Sequence, residues 1–442
     1  MSVITALMIF LISVSIIIVS AVIYRINSAM VMIGVTIFFG LLSGMPINEI
    51  LNVIRSGFGS TAGYIGIVIL EGVVMGILLE KTGALYAIAS AIVKRTGNGR
   101  AAVSVNLMGY ALSIPVSCDS GFVVLSPLAR AIAASSGRSM ASVLVALASG
   151  LYVSHSLVFP TPGPASAAGI LNASVWKVFF LGLAVSVPGL IAGCLWSVKF
   201  AGSFDTETAY NETCDVSARP YNDEPSLIKS VAPFAVTILL MVLRGVAVIP
   251  SHPFGNGLFA KYIVFAGDPV FALFAGILCS FILVKKGYYK EAAGGWIAEG
   301  VKHAAPVIIL AAAGGAFGAV IKASSLTHSL IIALSTWKIG IFLPFIIAAI
   351  FKTATGSSTI SIITAASVIS PLAGSLGIDP VLAVLAVGAG SMMVSHVNDP
   401  FFWIVAELSG MDGGSALKFF TPVTAITGIV SFIFIAFLSL FI

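Results

Sequence analysis

Apolar runs of about 20 residues, the length a helix needs to cross the hydrocarbon core of a bilayer, recur from one end of the chain to the other. In the first half they fall near residues 3–23, 28–44, 61–79, 140–158 and 175–198, and in the second near 227–247, 267–284, 303–322, 380–397 and 418–441. Each is predicted to be a transmembrane helix. Short surface helices are predicted near 84–95 and 326–336. Two further apolar segments, 100–134 and 340–374, are interrupted by polar, helix-breaking words, "PVSCDSG" at 115–121 and "KTATGSSTI" at 352–360. Their arms are about 15 residues long, short for a crossing. A re-entrant hairpin fits them better, its irregular tip buried in protein or lining a watery cavity. The pattern predicts an all-α polytopic membrane protein with about five spans and one hairpin in each half.

The halves also resemble each other in sequence. "SPLA" occurs at Ser126 and Ser370, and "VSH" at Val153 and Val394. Lys81 and Lys322 each close an apolar span, and they are separated by the same 241 positions as His155 and His396. Matches in one order at a nearly constant offset indicate a duplication, a common architecture of secondary transporters. The expected organisation is a first repeat over 1–198, a linker over 199–226 and a second repeat over 227–442. The stretch from Lys199 to Lys229 is the longest polar one and holds six of the seventeen acidic residues, as a linker between halves would.

An odd number of spans per repeat turns the second repeat upside down. Basic residues agree: with "KRTGNGR" (94–100) placed in the cytoplasm, fifteen of the twenty-two Lys and Arg fall on that side, as the positive-inside rule requires. The linker is then cytoplasmic and both termini external. The first apolar run is read as a retained span, because "MSVIT" lacks the basic residue that opens a signal peptide.

Composition narrows the function classes. Charged residues make up only 9% of the chain, against about 25% in soluble domains. The net charge of +5 is spread without a basic cluster, so nucleic acid is not an expected partner. Cys118, Cys194, Cys214 and Cys279 lie far apart and form no metal-ligand or redox spacing. No phosphate-binding loop of the G-x-x-x-x-G-K-[ST] type is present. Neither a metal nor an organic cofactor is expected.

Four breaks carry the candidate chemistry. Two are the hairpin tips. The others interrupt the following spans, at "SHSLVFPTPGP" (154–164) and "SHVNDPFFW" (395–403). Pro and Gly free backbone N–H and C=O groups at membrane depth, and helix N-termini there attract carboxylates. Two such ends facing each other would form an anion site near the midplane. Individual Ser and Gly residues in membrane helices often serve close packing alone, which weighs less where four occur together, as in "GSST". His155 and His396 are as readily packing histidines as site residues. Lys352 can be read as snorkelling to the interface. Three carboxyls, Glu71, Asp119 and Asp399, interrupt apolar surroundings. Each is costly there unless paired, protonated or hydrated, and Glu71 could be a structural partner of Arg55 or Lys352. A carboxyl kept from water holds its proton to higher pH, so it can exchange one near neutrality.

The words "DSGFVVLSPL", "SHSLVFPTPGPASAAGILNA", "ATGSSTISIITAASVISPL" and "SHVNDPFFWIVAELSGM" resemble those of the gluconate permease (GntP) family within the ion transporter superfamily. The resemblance implies proton-coupled uptake of gluconate and related sugar or hydroxy acids, two inverted repeats with re-entrant hairpins, and a homodimer in the plasma membrane, a bacterial inner membrane. Asp119 stands where the family usually has a glutamate, and Pro400 and Phe401 where it has a small pair. Both departures fall at the expected site and bear on which acid is carried.

The combined expectation is a multi-pass symporter for a small organic acid anion. The tip Gly356, Ser357, Ser358 and Thr359, with the tip Ser117, Asp119, Ser120 and Gly121, would hold the carboxylate. His155, Thr161 and Asn398 would face hydroxyls, with His396 and Asp399 completing the substrate site. Asp119 is the first choice for the proton, followed by Asp399 and Glu71. A sodium-driven carrier of the same fold is the alternative, since freed carbonyls also coordinate Na⁺. An intramembrane hydrolase is a remote third reading, because the Ser, His and Asp residues sit in duplicated breaks rather than in one constellation.

Overall fold

The structure, a computed structural model, describes residues 3–22, 24, 26–96, 100–114, 117–203, 225–248, 254–255, 257–327, 329, 340–397 and 399–441. The expected helix near 326–336 and most of the linker lie outside them. Regular structure among the described residues is entirely helical. The first half comprises α1 (Val3–Val22), α2 (Ser28–Leu42), α3 (Ile47–Lys81), α4 (Ala84–Thr96), α5 (Ala101–Leu112), α6 (Cys118–Ser136), α7 (Met140–Leu157), α8 (Pro162–Ile170) and α9 (Val175–Lys199). The second comprises α10 (Leu227–Ala247), α11 (Leu258–Ala266), α12 (Pro269–Ser280), α13 (Tyr289–Ala323), α14 (Phe342–Thr355), α15 (Ser358–Ala373), α16 (Pro380–Gly390), α17 (Pro400–Leu408) and α18 (Gly413–Leu438). Among the described residues, five helices are long and apolar enough to cross a membrane, or seven if each of two bent pairs counts as one span. Large apolar side chains such as Leu195, Ile228 and Phe437 face outward, as lipid-facing residues do. This is a membrane protein.

The element order repeats. A 35-residue helix (α3, α13), a helical hairpin (α5–α6, α14–α15), a buried helix followed by a nine-residue one (α7–α8, α16–α17) and a long closing helix (α9, α18) occur in each half. Two of these pairs run antiparallel where they touch. Along α3 and α13, Gly57 meets Ala319, Thr61 meets Gly315, Gly66 meets Ile308 and Val74 meets Gly300. Along α9 and α18, Gly189 meets Ser431, Gly193 meets Thr427 and Trp196 bonds Phe419.

Two expected spans prove too short. The run expected over 61–79 is the C-terminal part of α3, which begins at Ile47, and the run expected over 303–322 begins at Tyr289. Asn48, Glu49, Asn52 and Arg55, with Gly57, Gly59 and Gly63, lower the local apolarity of α3 as a loop would. Two of α3's small residues serve close packing instead. A Cβ at Gly57 would stand 2.7 Å from that of Ala319, and one at Gly315 would stand 2.0 Å from Thr61 Oγ1. Small residues let the two backbones approach. The run expected over 380–397 conversely stops at Gly390, and the chain then passes through Val394 at φ 48°. Positive φ is strained for a β-branched residue, a condition that clusters at functional sites.

The core is built from helices buried on every side. All residues of α7 from Ala141 to Leu157 are buried, and α15 and α16 are nearly so. A helix without a polar face belongs inside a larger assembly. The halves also interlock. Arg130 on α6 donates to the carbonyl of Leu408 at the end of α17, and Ser370 Oγ on α15 donates to Ile170 O at the end of α8, at 2.8 Å. Each hairpin thus holds the C-terminus of the other half's nine-residue helix, supplying a partner to a carbonyl the helix leaves unpaired.

Candidate functional site

Each of the four sequence breaks becomes the start of a helix. Ser117 caps α6, Ser357 caps α15, Thr161 precedes α8, and Asp399 caps α17. The caps follow from residue type: Ser117 Oγ accepts from Ser120 N, Ser357 Oγ from Ile360 N, and Asp399 Oδ1 from Phe401 N at 3.0 Å. Short oxygen-bearing side chains are favoured here because they satisfy amides the helix cannot. Pro162 and Pro400 stand at N1, where the missing N–H costs nothing. The breaks at 154–164 and 395–403 are therefore not only interruptions; they initiate α8 and α17, which the sequence reading did not foresee. Gly356 adopts φ 75°, the left-handed conformation that ends α14 and turns the chain into α15.

The four starts converge. Phe122 of α6 and Phe401 of α17 pack edge to face at 5.8 Å, and Phe401 stacks on Tyr152 of α7 at 5.7 Å. Tyr152 Oη accepts from Ser358 Oγ at 2.7 Å. His155 Nε2 lies 3.3 Å from Thr359 Oγ1. A Cβ at Gly163 of α8 would stand 2.7 Å from Ile362 Cδ1 of α15.

At the centre lies an ion pair that no sequence reading identified. Lys352 does not snorkel: its side chain is 0% exposed. Its Nζ donates to Asp399 Oδ2 at 2.6 Å and to Gly356 O at 2.5 Å, and stands 5.5 Å from the Tyr152 ring centroid. Asp399 Oδ2 also accepts from Ser395 Oγ. Asp399, not Glu71, is the partner of Lys352. One signal was legible: Lys352 closes a short arm at a hairpin tip, where a lysine stem has no interface within reach.

The remaining expected residues divide. Asp119 is exposed, with the Cys118 thiol 3.9 Å from its Oδ1. Asp399 is buried. Asp119 is nonetheless near enough for the charges of Asp399 and Lys352 to act on it. Ser117 is exposed, Ser120 is half-buried, and Gly121 is buried within α6. Thr161 is buried and donates to Val158 O at 2.5 Å. His155 is buried, whereas His396 is half-buried with Nε2 2.9 Å from Thr353 O. Asn398 lies outside the described residues. Glu71 is buried away from this centre. It lines a separate cavity of about 1020 Å³ with Lys261 and the ion-paired Arg244 and Asp268.

Four buried polar atoms on α7 and α15 lack a partner among the described residues: Ser154 Oγ, His155 Nδ1, Ser156 Oγ and Thr364 Oγ1. Unmet polar atoms are uncommon in a packed interior and call for water or a ligand. Helix N-termini, a buried cation and several hydroxyls can together bind an acid bearing hydroxyl groups. No group of three or more metal-ligating side chains occurs among the described residues.

A family model described as GntP family permease matches residues 5–441. A gluconate permease of Pseudomonas aeruginosa is 30% identical over 409 residues, covering 91% of this chain and 90% of that protein. A Gnt-II system L-idonate transporter of Escherichia coli (strain K12) is 29% identical over 415 residues, covering 92% of each. The YdaH transporter of Alcanivorax borkumensis, a crystal structure described as having an unusual topology, shares the fold with a TM-score of 0.65 at 18% identity over 89% of each chain. These matches are permeases and transporters, not enzymes.

Proposed function

Because this chain belongs to the GntP permease family, we propose that it is a secondary active transporter importing a sugar acid or related hydroxylated monocarboxylate by proton symport. The observation that carries the reading is a fully buried lysine, Lys352, at the point where four helix starts meet. A cation at membrane depth is costly unless it has work there, and the surrounding N-termini favour a carboxylate. Hydroxyls of Ser358, Thr359 and Thr161 and the free Nδ1 of His155 suit the polyol part of such an acid. Gluconate and L-idonate, named for two relatives, have this chemistry. The antiparallel pairing of α3 with α13 and of α9 with α18 supports an inverted duplication, with the hairpins re-entrant and the protein in the plasma membrane. The proton travels on one of three carboxyls: Asp119, Asp399 or Glu71.

Uptake of labelled gluconate and L-idonate into proteoliposomes tests this. Acid outside should drive accumulation, and a sodium gradient at fixed pH should not. Accumulation driven by sodium alone would replace the coupling ion. No transport of any acid in a hydroxylated monocarboxylate panel would overturn the reading.

A further inference from the structure

The Lys352–Asp399 pair is placed where it does little for stability. Buried ion pairs can often be exchanged for apolar residues of similar volume without loss, and this one lies against Tyr152 of the buried helix α7. Its bonding is lopsided. Of the three ammonium donors of Lys352, one goes to Gly356 O in the hairpin tip, one to Asp399 Oδ2, and the remaining side turns to the Tyr152 ring. Asp399 would keep two donors if the lysine left it: Ser395 Oγ and, at 3.0 Å, Phe401 N. The lysine belongs to a hairpin and the aspartate to the start of α17, so two separate elements meet at this contact.

Other titratable groups face the pair. Cys118 and Asp119 of α6 act on Lys352 electrostatically, as does Asp399 itself, and Lys352 acts on His155 of α7. Tyr152 of α7 presents its ring to the ammonium, and His396 lies one residue away at Thr353 O. Among these, Asp399 is the only carboxyl that touches the lysine.

We propose that the substrate carboxylate binds Lys352 by displacing Asp399, and that Asp399 takes up a proton as it is displaced. The ion pair between the Lys352 ammonium and the Asp399 carboxylate becomes an ion pair between the same ammonium and the substrate. The proton comes from water and lands on Asp399 Oδ2. The centre then carries zero net charge when empty and zero net charge when loaded. Without the proton, the loaded centre would hold an unpaired anion at membrane depth, which the hydrocarbon surroundings disfavour. One monocarboxylate and one proton therefore move together, without net charge, and coupling is a property of the exchange itself. This inference deepens the proposed symport and rests on it.

Calorimetry with gluconate as probe, in buffers of different ionisation enthalpy, counts protons taken up per molecule bound. The wild type should take up one. Asp399→Asn strands the Lys352 ammonium, so it should be less stable than the wild type and, at a pH where that ammonium keeps its proton, should bind gluconate with no proton uptake. Reconstituted, it should exchange labelled for unlabelled gluconate and fail to accumulate it. Lys352→Gln should weaken binding at least tenfold. The double variant Lys352→Met/Asp399→Leu leaves no charge unpaired and should fold without binding. Proton uptake that persists in Asp399→Asn, binding by the double variant, or wild-type binding without a proton would each overturn the exchange while leaving a transporter in place. A wild type that binds no acid of the hydroxylated monocarboxylate panel would overturn the transporter reading and the exchange with it.

Discussion

The two hairpin tips occupy matching places in the element order of the two halves and carry opposite charges in opposite surroundings. The first tip offers Asp119, an exposed carboxyl beside a thiol. The second offers Lys352, fully buried and bonded to a carboxylate from a different break. In both, a serine caps the helix that follows the break. Under the proposed duplication each tip offers a helix start to an anion, and under the proposed exchange Lys352 decides between them, because a helix N-terminus carries only partial charge and a lysine carries a full one. The histidines repeat the contrast. His155 is enclosed beside Thr359, and His396 is half-open.

Replacing the charge at each tip should break the likeness most visibly. Lys352→Ala strands the buried Asp399 carboxylate, and breaking one side of such a pair costs about 3–5 kcal/mol. Its thermal unfolding in detergent should fall well below the wild type, and gluconate uptake should vanish. Asp119→Asn should change stability by no more than about 0.5 kcal/mol, the range for exposed substitutions, and should still accumulate gluconate under a pH gradient. Equal damage from both changes would erase the difference between the tips.

The hydroxyls of the second tip should come next. Thr359→Val and Ser358→Ala each remove a hydrogen-bonding group beside the charged centre. The loss of such a bond to a charged ligand is about 1.5–3 kcal/mol, or roughly ten- to a hundredfold in apparent affinity. The matching change at the first tip, Ser117→Ala, acts mainly through the α6 cap and should cost about 1 kcal/mol of stability with little effect on affinity. Transport kinetics over a range of gluconate concentrations would separate these outcomes.

The smallest contrast concerns the histidines. His155→Gln should raise the gluconate concentration needed for half-maximal uptake several-fold, whereas His396→Gln should shift it less than twofold. The reverse order would place the substrate on the other side of the centre.

Much of this was legible in the sequence, and what was not has physical causes. The α10 boundaries, the two hairpins and all four breaks follow from apolar run length and from Pro, Gly and Ser placement. The length of α3 was hidden because its first turns carry Asn48, Glu49, Asn52 and Arg55, and because Gly57, a loop signal in another setting, makes a close helix contact here. The nine-residue helices α8 and α17 are too short to show a periodic pattern. The Lys352–Asp399 contact joins residues 47 positions apart, a pairing that no local spacing encodes. Asp119 drew attention because it follows an apolar segment. Its exposure is set by how α6 packs, which only the fold decides.

The most direct test of the charge exchange is the internal pH of proteoliposomes given an inward gluconate gradient and no pH gradient. With the membrane potential clamped at zero, the lumen should acidify, one proton entering with each gluconate, and Asp399→Asn should abolish the acidification. Gluconate entry without acidification in the wild type, or unaltered acidification in Asp399→Asn, would contradict the exchange at Lys352.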